Sequence, residues 1–584
     1  MAKANKGLTR RRFLQGVGLA GGSAALYETM TALGLINIPE AWAGPPQLPR
    51  GSGNGKKVVI LGAGIGGLTA AYELKRAGYE VQILELTERA GGRNHTARRG
   101  TVLVEKNSKG QTLKQVCDFD EGLYLNLGPG RLPYHHRRVL HYCKEFNVAL
   151  EVYVMETMAN LFQRNSAFGG KATVRRRIYN DIQGYISEML AKAVNQKALN
   201  EELNEEDQQR LLCLLKTFGD LGENNLCSTC GQTKCKNCNA SSCSDCAQCN
   251  KECPSCFQYS GSTRDGCEIT VYQPCEPGPK LPLKELLSSE FWRFRFYQSF
   301  EYEWQPTLFQ PIGGMDKIVD GFLRQIGNLI RYYTETLYIQ TRDDGVTITT
   351  QDARTGVRAT FNADYCISNI PLPLLSKIKN NFSPDFFTAV ATCVYDPTCK
   401  LGWQANNRFW EDNKNQIYGG ISYTDDMITQ MWYPSYDYFT RNGTLTGVYN
   451  YDKDAIDFGN MSLDERIRRA REGAVKLHPE FADQKLVPSD KAISIAWQNI
   501  PNEGGGWANW DPNNQDHSKA YTRLLAPDRR FFVTGDQVSQ LPGWQEGAMQ
   551  SAQHVVEQIG GIRPLTMPQL RRAPNTRRLI HGRS

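Results

Sequence analysis

A strand, a glycine-rich turn and a helix follow one another near the start of the chain. Residues 58–61 form a short apolar run that predicts a buried strand, and Gly62, Gly64 and Gly67 follow it. Helical spacing over residues 68–74 then predicts a helix whose N-terminal amides can hold a pyrophosphate. A second apolar run ends at Glu85, at the spacing of an acid that binds an adenosine ribose. The pattern predicts dinucleotide binding by an α/β domain.

Three further blocks indicate FAD rather than NAD. The segment ERAGGR reaches Gly92 and Arg93, residues 311–317 read PIGGMDK, and FFVTGDQ near the end contains Gly535 and Asp536. In order and position, these blocks resemble those of the flavin amine oxidases. The resemblance implies the fold of that family, a Rossmann-like FAD-binding domain with a mixed-sheet substrate domain. It also implies the following FAD-binding residues: Gly62, Gly64, Gly67, Glu85, Gly92, Arg93, Gly130, Arg131, Trp497, Gly535, Asp536, Trp544, Gln545 and Ala548.

Residues 119–133, FDEGLYLNLGPGRLP, narrow the resemblance to L-amino acid oxidases. In that group the arginine of a Gly-Pro-x-Arg-Leu-Pro turn binds the substrate carboxylate, and Arg131 matches it. A planar guanidinium suits this task because it pairs bidentately and stays charged when buried. The alternative is a surface arginine that caps a turn.

Other substrate-site residues follow from the same resemblance. Tyr433, in MWYP, matches a tyrosine that gives the carboxylate a second hydrogen bond, although a tyrosine in an aromatic strand is often only core. Gly543 and Trp544 match a glycine carbonyl facing the substrate amine and an aromatic wall beside the flavin. Trp497 is a further candidate for that wall.

Lys400, in DPTCKLGW, matches a lysine near the flavin N5 atom. A lysine in an otherwise apolar strand is costly unless it is paired or functional. Lys400 and Trp544 are therefore the predicted catalytic residues, with the Lys400 charge favouring reoxidation by O2. The expected reaction is oxidation of an L-amino acid to a 2-oxo acid, ammonia and hydrogen peroxide by hydride transfer to FAD.

The sequence motifs are also compatible with three other functions. One is an amine oxidase for substrates without a carboxylate, and another is an amide-forming amino acid monooxygenase. The third is an exported metal-binding protein in which the flavin is only structural. The sequence does not indicate the preferred substrate side chain, and relatives suggest a homodimer.

The ends of the chain carry its excess positive charge. Residues 9–15, TRRRFLQ, resemble a twin-arginine export signal, and Ala41-Trp42-Ala43 offers a cleavage site. The leader 1–43 predicts export by that machinery to the periplasm or medium, with no integral membrane segment in the mature protein. The arginine-rich tail, 563–584, is predicted to be disordered. Because the body between them is slightly acidic, nucleic acid binding is not expected.

Residues 227–275 form a cysteine-rich insertion that cannot build an apolar core. Four CxxC pairs suggest two zinc sites, a ferredoxin-like run suggests an iron–sulfur cluster, and export favours disulfides. The candidate zinc ligands are the cysteines of these four pairs: Cys227, Cys230, Cys235, Cys238, Cys243, Cys246, Cys253 and Cys256.

The motif order predicts a discontinuous multidomain α+β organisation. The FAD domain is expected from 54–112, 306–380 and 524–562, and the substrate domain from 113–172 and 381–523. A helical domain over 173–305 carries the insertion.

Overall fold

The computed structural model describes residues 42, 44–49, 51–200, 202–222, 257–267, 269–276 and 278–562. Most of the predicted leader, the insertion cysteines at 227–256 and the basic tail lie outside these ranges. The leader, metal and tail predictions are therefore not addressed by the structure. Within the described ranges, no helix combines the length and apolarity that crossing a membrane requires.

The described strands are mostly short. In chain order they are β1 Lys57–Leu61, β2 Glu80–Leu84, β3 Thr96–Ala97, β4 Val102–Lys106, β5 Thr112–Val116, β6 Leu125–Asn126, β7 Leu132–Pro133, β8 Leu150–Tyr153, β9 Leu161–Gln163, β10 Thr173–Val174, β11 Leu308–Pro311, β12 Ile330–Arg331, β13 Thr334–Thr341, β14 Val346–Asp352, β15 Arg358–Ala363, β16 Tyr365–Ser368, β17 Lys379–Asn380, β18 Val394–Asp396, β19 Thr398–Ala405, β20 Ile421–Thr424, β21 Gln430–Trp432, β22 Gly443–Tyr451, β23 Ala492–Ala496, β24 Trp507–Asn509 and β25 Phe531–Val533.

The α-helices lie between these strands. The described ones are α1 Ile65–Arg76, α2 Arg137–Glu145, α3 Arg175–Asn195, α4 Glu205–Gly219, α5 Leu283–Ser289, α6 Lys317–Ile326, α7 Leu372–Leu375, α8 Pro384–Thr392, α9 Asp452–Gly459, α10 Leu463–Leu477, α11 Gln515–Leu524 and α12 Gln545–Ile559.

Five strands form a parallel sheet with the order β12-β2-β1-β16-β25. Its strands come from three separate parts of the chain, all within the segments predicted for the FAD domain. Alternate residues of β1 pack into two different apolar cores. Val58 and Ile60 share one core with α1 and α12, and Val59 and Leu61 share the other with α8 and α11. Burial on both faces is the usual state of a parallel sheet, and it explains the continuous apolar run of β1.

A larger, mainly antiparallel sheet has the order β10-β9-β20-β21-β22-β19-β23. Its central strand β19 is buried throughout. Cys399, Leu401 and Trp403 pack into an apolar core on one side of β19. Since side chains alternate along a strand, Lys400 points to the opposite side. The two sheets together confirm the predicted α/β fold class.

Helices α3 and α4 pack together in the region predicted to be helical. Nearby, Cys267 and Cys275 form a disulfide. The other described cysteines are free and buried: Cys117, Cys143, Cys213, Cys366, Cys393 and Cys399.

Candidate functional site

Residues of both sheets line a cavity of about 830 Å³. Most residues predicted to bind FAD or substrate line it, which brings together segments more than 400 positions apart. These residues are Gly62, Gly64, Glu85, Gly92, Arg93, Lys400, Trp497, Gly535, Asp536, Gly543, Trp544, Gln545 and Ala548. Gly67, Gly130, Arg131 and Tyr433 are the predicted site residues that do not line it.

The glycine turn after β1 leaves room for a cofactor next to the backbone. Gly62 has a φ of +95°, and a Cβ on Gly67 would lie 2.2 Å from the carbonyl oxygen of Gly62. Gly67 is therefore required for the packing of the turn rather than for direct contact. Helix α1 begins here with no acidic residue in its first turn, so its N-terminus attracts an anion.

Glu85 is held in place at the end of β2. Its Oε2 accepts a hydrogen bond from the Ala63 amide at 2.8 Å, and its Oε1 accepts one from the Thr87 hydroxyl at 2.7 Å. This carboxylate is 8% exposed and lines the cavity. Its anchoring beside the glycine turn suits the predicted contact with a ribose.

Arg93 and Asp536 form an ion pair on the cavity wall. The second carboxylate oxygen of Asp536 accepts the Gly543 amide at 2.7 Å, and Arg93 Nη1 donates to the Gly506 carbonyl at 2.5 Å. Burial alone would lower the pKa of Arg93, but Asp536 raises it above its usual value. These contacts join the predicted early and late cofactor motifs directly.

Glu503, which was not predicted as a site residue, is a buried carboxylic acid on the same wall. It is 5% exposed, and its Oε2 lies 3.8 Å from Nε of Arg93. Burial raises its pKa to about 7, although Arg93 and Arg89 oppose that effect. No sequence signal marks Glu503, because its position depends on how the 501–506 loop folds back.

Glu503→Gln is expected to stabilise the FAD-loaded protein at pH 8 and to have little effect at pH 5. Because the folded-state pKa is raised from 4.5 to about 7, stability is lost as pH rises through that window. The gain at pH 8 is on the order of 3.5 kcal/mol, at about 1.4 kcal/mol per pKa unit. The negative phosphates of bound FAD would raise the pKa of Glu503 further, so Glu503→Gln would still stabilise the protein at pH 8.

Melting temperatures at both pH values measure this effect. The control is Glu335→Gln, since Glu335 also lines the cavity but is exposed. An equal gain for Glu503→Gln at pH 5 and pH 8 would show that ionisation of Glu503 is not its cause.

Lys400 lies 2% exposed on the cavity wall. Its Nζ donates to the carbonyls of Gly128 at 2.5 Å and Asn126 at 3.2 Å, and lies 4.6 Å from the centre of the Trp432 ring. Burial, with Arg131 nearby, lowers the pKa of Lys400 to about 7. A lysine in this state carries a charge that pH controls near neutrality.

Arg131 is 6% exposed and lies between aromatic rings. Its guanidinium carbon is 4.1 Å from the centre of the Trp304 ring and 4.8 Å from that of Trp432. Nε and Nη1 are buried and have no hydrogen-bond acceptor within the described part of the chain. Leaving buried donors without an acceptor costs free energy. Their presence here indicates that an anionic ligand accepts hydrogen bonds from them.

The structure does not bring Tyr433 to Arg131. The Tyr433 hydroxyl hydrogen-bonds with Nε2 of His478 at 2.6 Å and with Oγ of Ser422 at 2.9 Å, inside an apolar core. Because neighbouring residues of an extended chain point to opposite sides, Trp432 faces Arg131 instead. Gly130 allows this approach, since a Cβ there would lie 2.9 Å from the Trp432 ring.

Aromatic and amide groups complete the wall near Gly543. Trp497 donates from Nε1 to the Leu127 carbonyl at 3.1 Å, and the Trp544 ring lies 5.1 Å from that of Trp304. Nε2 of Gln545 is buried without a partner in the ranges that the structure describes. An acceptor atom of a bound cofactor would satisfy it.

Gly128 and Trp507 are among the lining residues that were not assigned from the sequence. Gly128 lies within the GPGR motif, and a Cβ there would be 1.8 Å from the Arg93 carbonyl oxygen. Trp507 follows a run of three glycines, which is the only local signal for it. Three features fit FAD: the glycine turn after β1, the anchored carboxylate of Glu85, and the Gln545 amide that lacks a hydrogen-bond partner.

Comparison with known proteins gives the same assignment. A family profile described as "Flavin containing amine oxidoreductase" matches residues 65–560. The flavin-dependent L-tryptophan oxidase RebO of Lentzea aerocolonigenes is 25% identical over 517 residues, covering 86% of this chain and 98% of that protein. The L-amino acid oxidase Lm29 of Lachesis muta is 25% identical over 516 residues, covering 86% of both chains.

Among solved structures, a putrescine oxidase variant has a similar fold. It has a TM-score of 0.51 and 14% identity, and the match covers 87% of this chain and 99% of that chain. The similarity supports the flavoprotein fold alone. Since the family profile spans most of the sequence, the chain belongs to the flavin-containing amine oxidoreductase family.

Proposed function

We propose that the protein oxidises L-amino acids to 2-oxo acids, ammonia and hydrogen peroxide. The buried Arg131, with two donor atoms that no described residue satisfies, carries this proposal. A carboxylate is the ligand that a guanidinium fork binds best. FAD, when bound, supplies the hydride acceptor and the reaction with O2. The two relatives named as oxidases of L-amino acids support the same substrate class.

Two further buried donors accompany Arg131. The Tyr153 hydroxyl and Nε1 of Trp304 also lack partners among the described residues. The Tyr153 ring centre is 5.9 Å from the Arg131 guanidinium carbon. Burial raises the pKa of Tyr153, and the neighbouring Arg131 opposes this effect. We infer that Tyr153, rather than Tyr433, gives the carboxylate its second hydrogen bond.

Tyr153→Phe is expected to raise the Kd for a carboxylate that competes with the L-amino acid about tenfold. That factor corresponds to about 1.4 kcal/mol, a typical value for a hydrogen bond to a charged group. Tyr433→Phe serves as the matched control, since its hydroxyl contacts only His478 and Ser422 among the described groups, and it should leave Kd unchanged. Anaerobic titration of the flavin spectrum with a competitive carboxylate measures both. The reverse order of effects would restore Tyr433 to the site.

The remaining groups define how a substrate would be oriented. Arg131 fixes the carboxylate, and the Gly543 segment lies on the cavity side that carries Trp544. Loss of hydride is easiest from a neutral amine, so the site does not need a strong general base.

Anaerobic bleaching of the flavin tests the proposed reaction. The panel contains L-amino acids, their D-enantiomers and the corresponding decarboxylated amines. Bleaching by L-amino acids alone, with peroxide and ammonia formed when air is admitted, is the expected result. Bleaching by the amines instead would make the protein an amine oxidase and would remove the role of Arg131. Oxygen incorporation into an amide product would indicate a monooxygenase.

We also propose export through the twin-arginine pathway, on the pattern TRRRFLQ. Fusion of residues 1–50 to a reporter, with lysines replacing the three arginines, should block export. Export of that variant fusion would exclude this route. For the insertion, zinc, iron–sulfur and disulfides remain alternatives that elemental analysis separates.

A further inference from the structure

Two adjacent histidines and a glutamate converge beside the substrate site. His135 and His136 precede α2, and Glu303 belongs to a short 3-10 helix, Tyr302–Trp304. Nε2 of His135 lies 3.1 Å, and Nε2 of His136 3.3 Å, from the same oxygen of Glu303. In the part of the chain that the structure describes, no other group of three such side chains is arranged to hold a metal ion.

The spacing of these atoms suits a small divalent cation. Zinc stands about 2.0–2.2 Å from nitrogen and oxygen ligands, so ligand atoms of a tetrahedral site lie roughly 3.3 Å apart. The two measured separations of 3.1 and 3.3 Å agree with that edge, and all three ligand atoms lie within 4.8 Å of one another. A neutral histidine offers the Nε2 lone pair when its proton lies on Nδ1, and Nδ1 of His135 is buried without a partner among the described residues.

The surroundings hold the ligands rigidly. The His136 side chain is 1% exposed, while those of His135 and Glu303 are 12% and 18% exposed. The Tyr302 ring stacks on His135 at 4.1 Å, and the Trp544 ring meets His136 edge-on at 4.9 Å. The rings therefore have restricted orientations, while the side of Glu303 keeps access for an ion. Preorganisation of this kind lowers the entropic cost of binding.

We propose that His135, His136 and Glu303 form a binding site for one divalent transition-metal ion of the zinc type. Two imidazoles and one carboxylate are a donor set that zinc uses with a fourth, exchangeable ligand. Trp304 follows Glu303 directly and packs on Arg131, which lies four residues before His135. The ion would thus cross-link the segment that contains Trp304 to the segment that contains Arg131. This site is separate from the cysteine-rich insertion and goes beyond the proposed oxidase reaction.

Calorimetric titration with Zn²⁺ tests the proposal on the full-length, FAD-loaded protein. The protein is first treated with EDTA, and its accessible thiols are blocked with iodoacetamide so that insertion cysteines cannot bind the ion. The wild type should bind one Zn²⁺ per chain. His135→Gln and Glu303→Gln should each weaken this binding at least about 100-fold, since each removes a direct ligand. Glu301→Gln, which changes an exposed carboxylate two positions away, should bind as the wild type does.

Two results would overturn the proposal. The first is a thiol-blocked wild type that binds no Zn²⁺, a result that does not depend on any variant folding correctly. The second is wild-type affinity in both variants with normal flavin content and circular dichroism. Either result would make the three side chains a hydrogen-bonded cluster that positions Trp304. Flavin bleaching by L-amino acids would be judged separately, so failure here would not count against the oxidase.

Discussion

Arg131→Met is expected to lower kcat/KM for L-amino acids by about 10³-fold. Removing one partner of a buried, hydrogen-bonded charge pair costs about 2–5 kcal/mol, and here the substrate carboxylate would lose its counterion between Trp304 and Trp432. The decarboxylated amine of the same side chain has no carboxylate to lose. Its low rate of turnover should therefore change less than about threefold, since it makes no such pair. Steady-state oxygen consumption measures both substrates.

Two controls separate recognition from misfolding. Arg131→Lys keeps the charge but not the planar fork, so it should recover only part of the activity. Arg131→Met should also raise the pKa of Lys400, because the Arg131 charge contributes to lowering it. Equal losses for amino acid and amine would mean that Arg131 supports the structure rather than the carboxylate.

Lys400→Met is expected to slow reoxidation of the reduced protein by O2 about 10²- to 10³-fold. A preorganised positive charge stabilises the negative charge that develops on oxygen, and removal of one such group typically costs this much. Reduction by an L-amino acid should change only a few-fold. Stopped-flow measurement of the two half-reactions distinguishes them. Equal losses in both would make Lys400 a structural residue, held by Gly128 and Asn126.

The same lysine gives oxygen reactivity a pH dependence with a defined sign. With a pKa of about 7, the Lys400 charge is present at lower pH and is lost as pH rises through that value. A negatively charged cofactor moves this window upwards. Wild-type reoxidation should therefore slow with rising pH, whereas Lys400→Arg should show no such slope. A slope unchanged in Lys400→Arg would assign it to another group.

The fold class and the cofactor motifs could be predicted from the sequence because their signals are local. A strand, a glycine turn and a helix lie within residues 57–76, and the steric need at Gly67 depends on Gly62 and Ile60 of the same unit. Glu85 follows from the next strand of the sheet. The motif resemblance extended this to Asp536, whose pairing with Arg93 the structure shows.

Substrate-side assignments were less secure because strand register decides them. A shift of one residue reverses the direction of a side chain, and so Trp432 faces Arg131 while Tyr433 enters the core. Tyr153 gave no local signal for a role beside Arg131. The sequence identified the chemistry that was needed but not which aromatic residue would supply it.

The sequence by itself determined the α/β sheet and the dinucleotide turn, because short-range periodicity and steric limits specify them, whereas Arg131 and Lys400 were predicted only through the family resemblance. Only the tertiary structure decided that Glu503 is buried beside Arg93 and that Glu303 meets His135 and His136. These contacts join segments 167 or more residues apart, so they form only when distant parts of the chain pack together. Burial and charge at such points are properties of the assembled chain, so no local pattern records them.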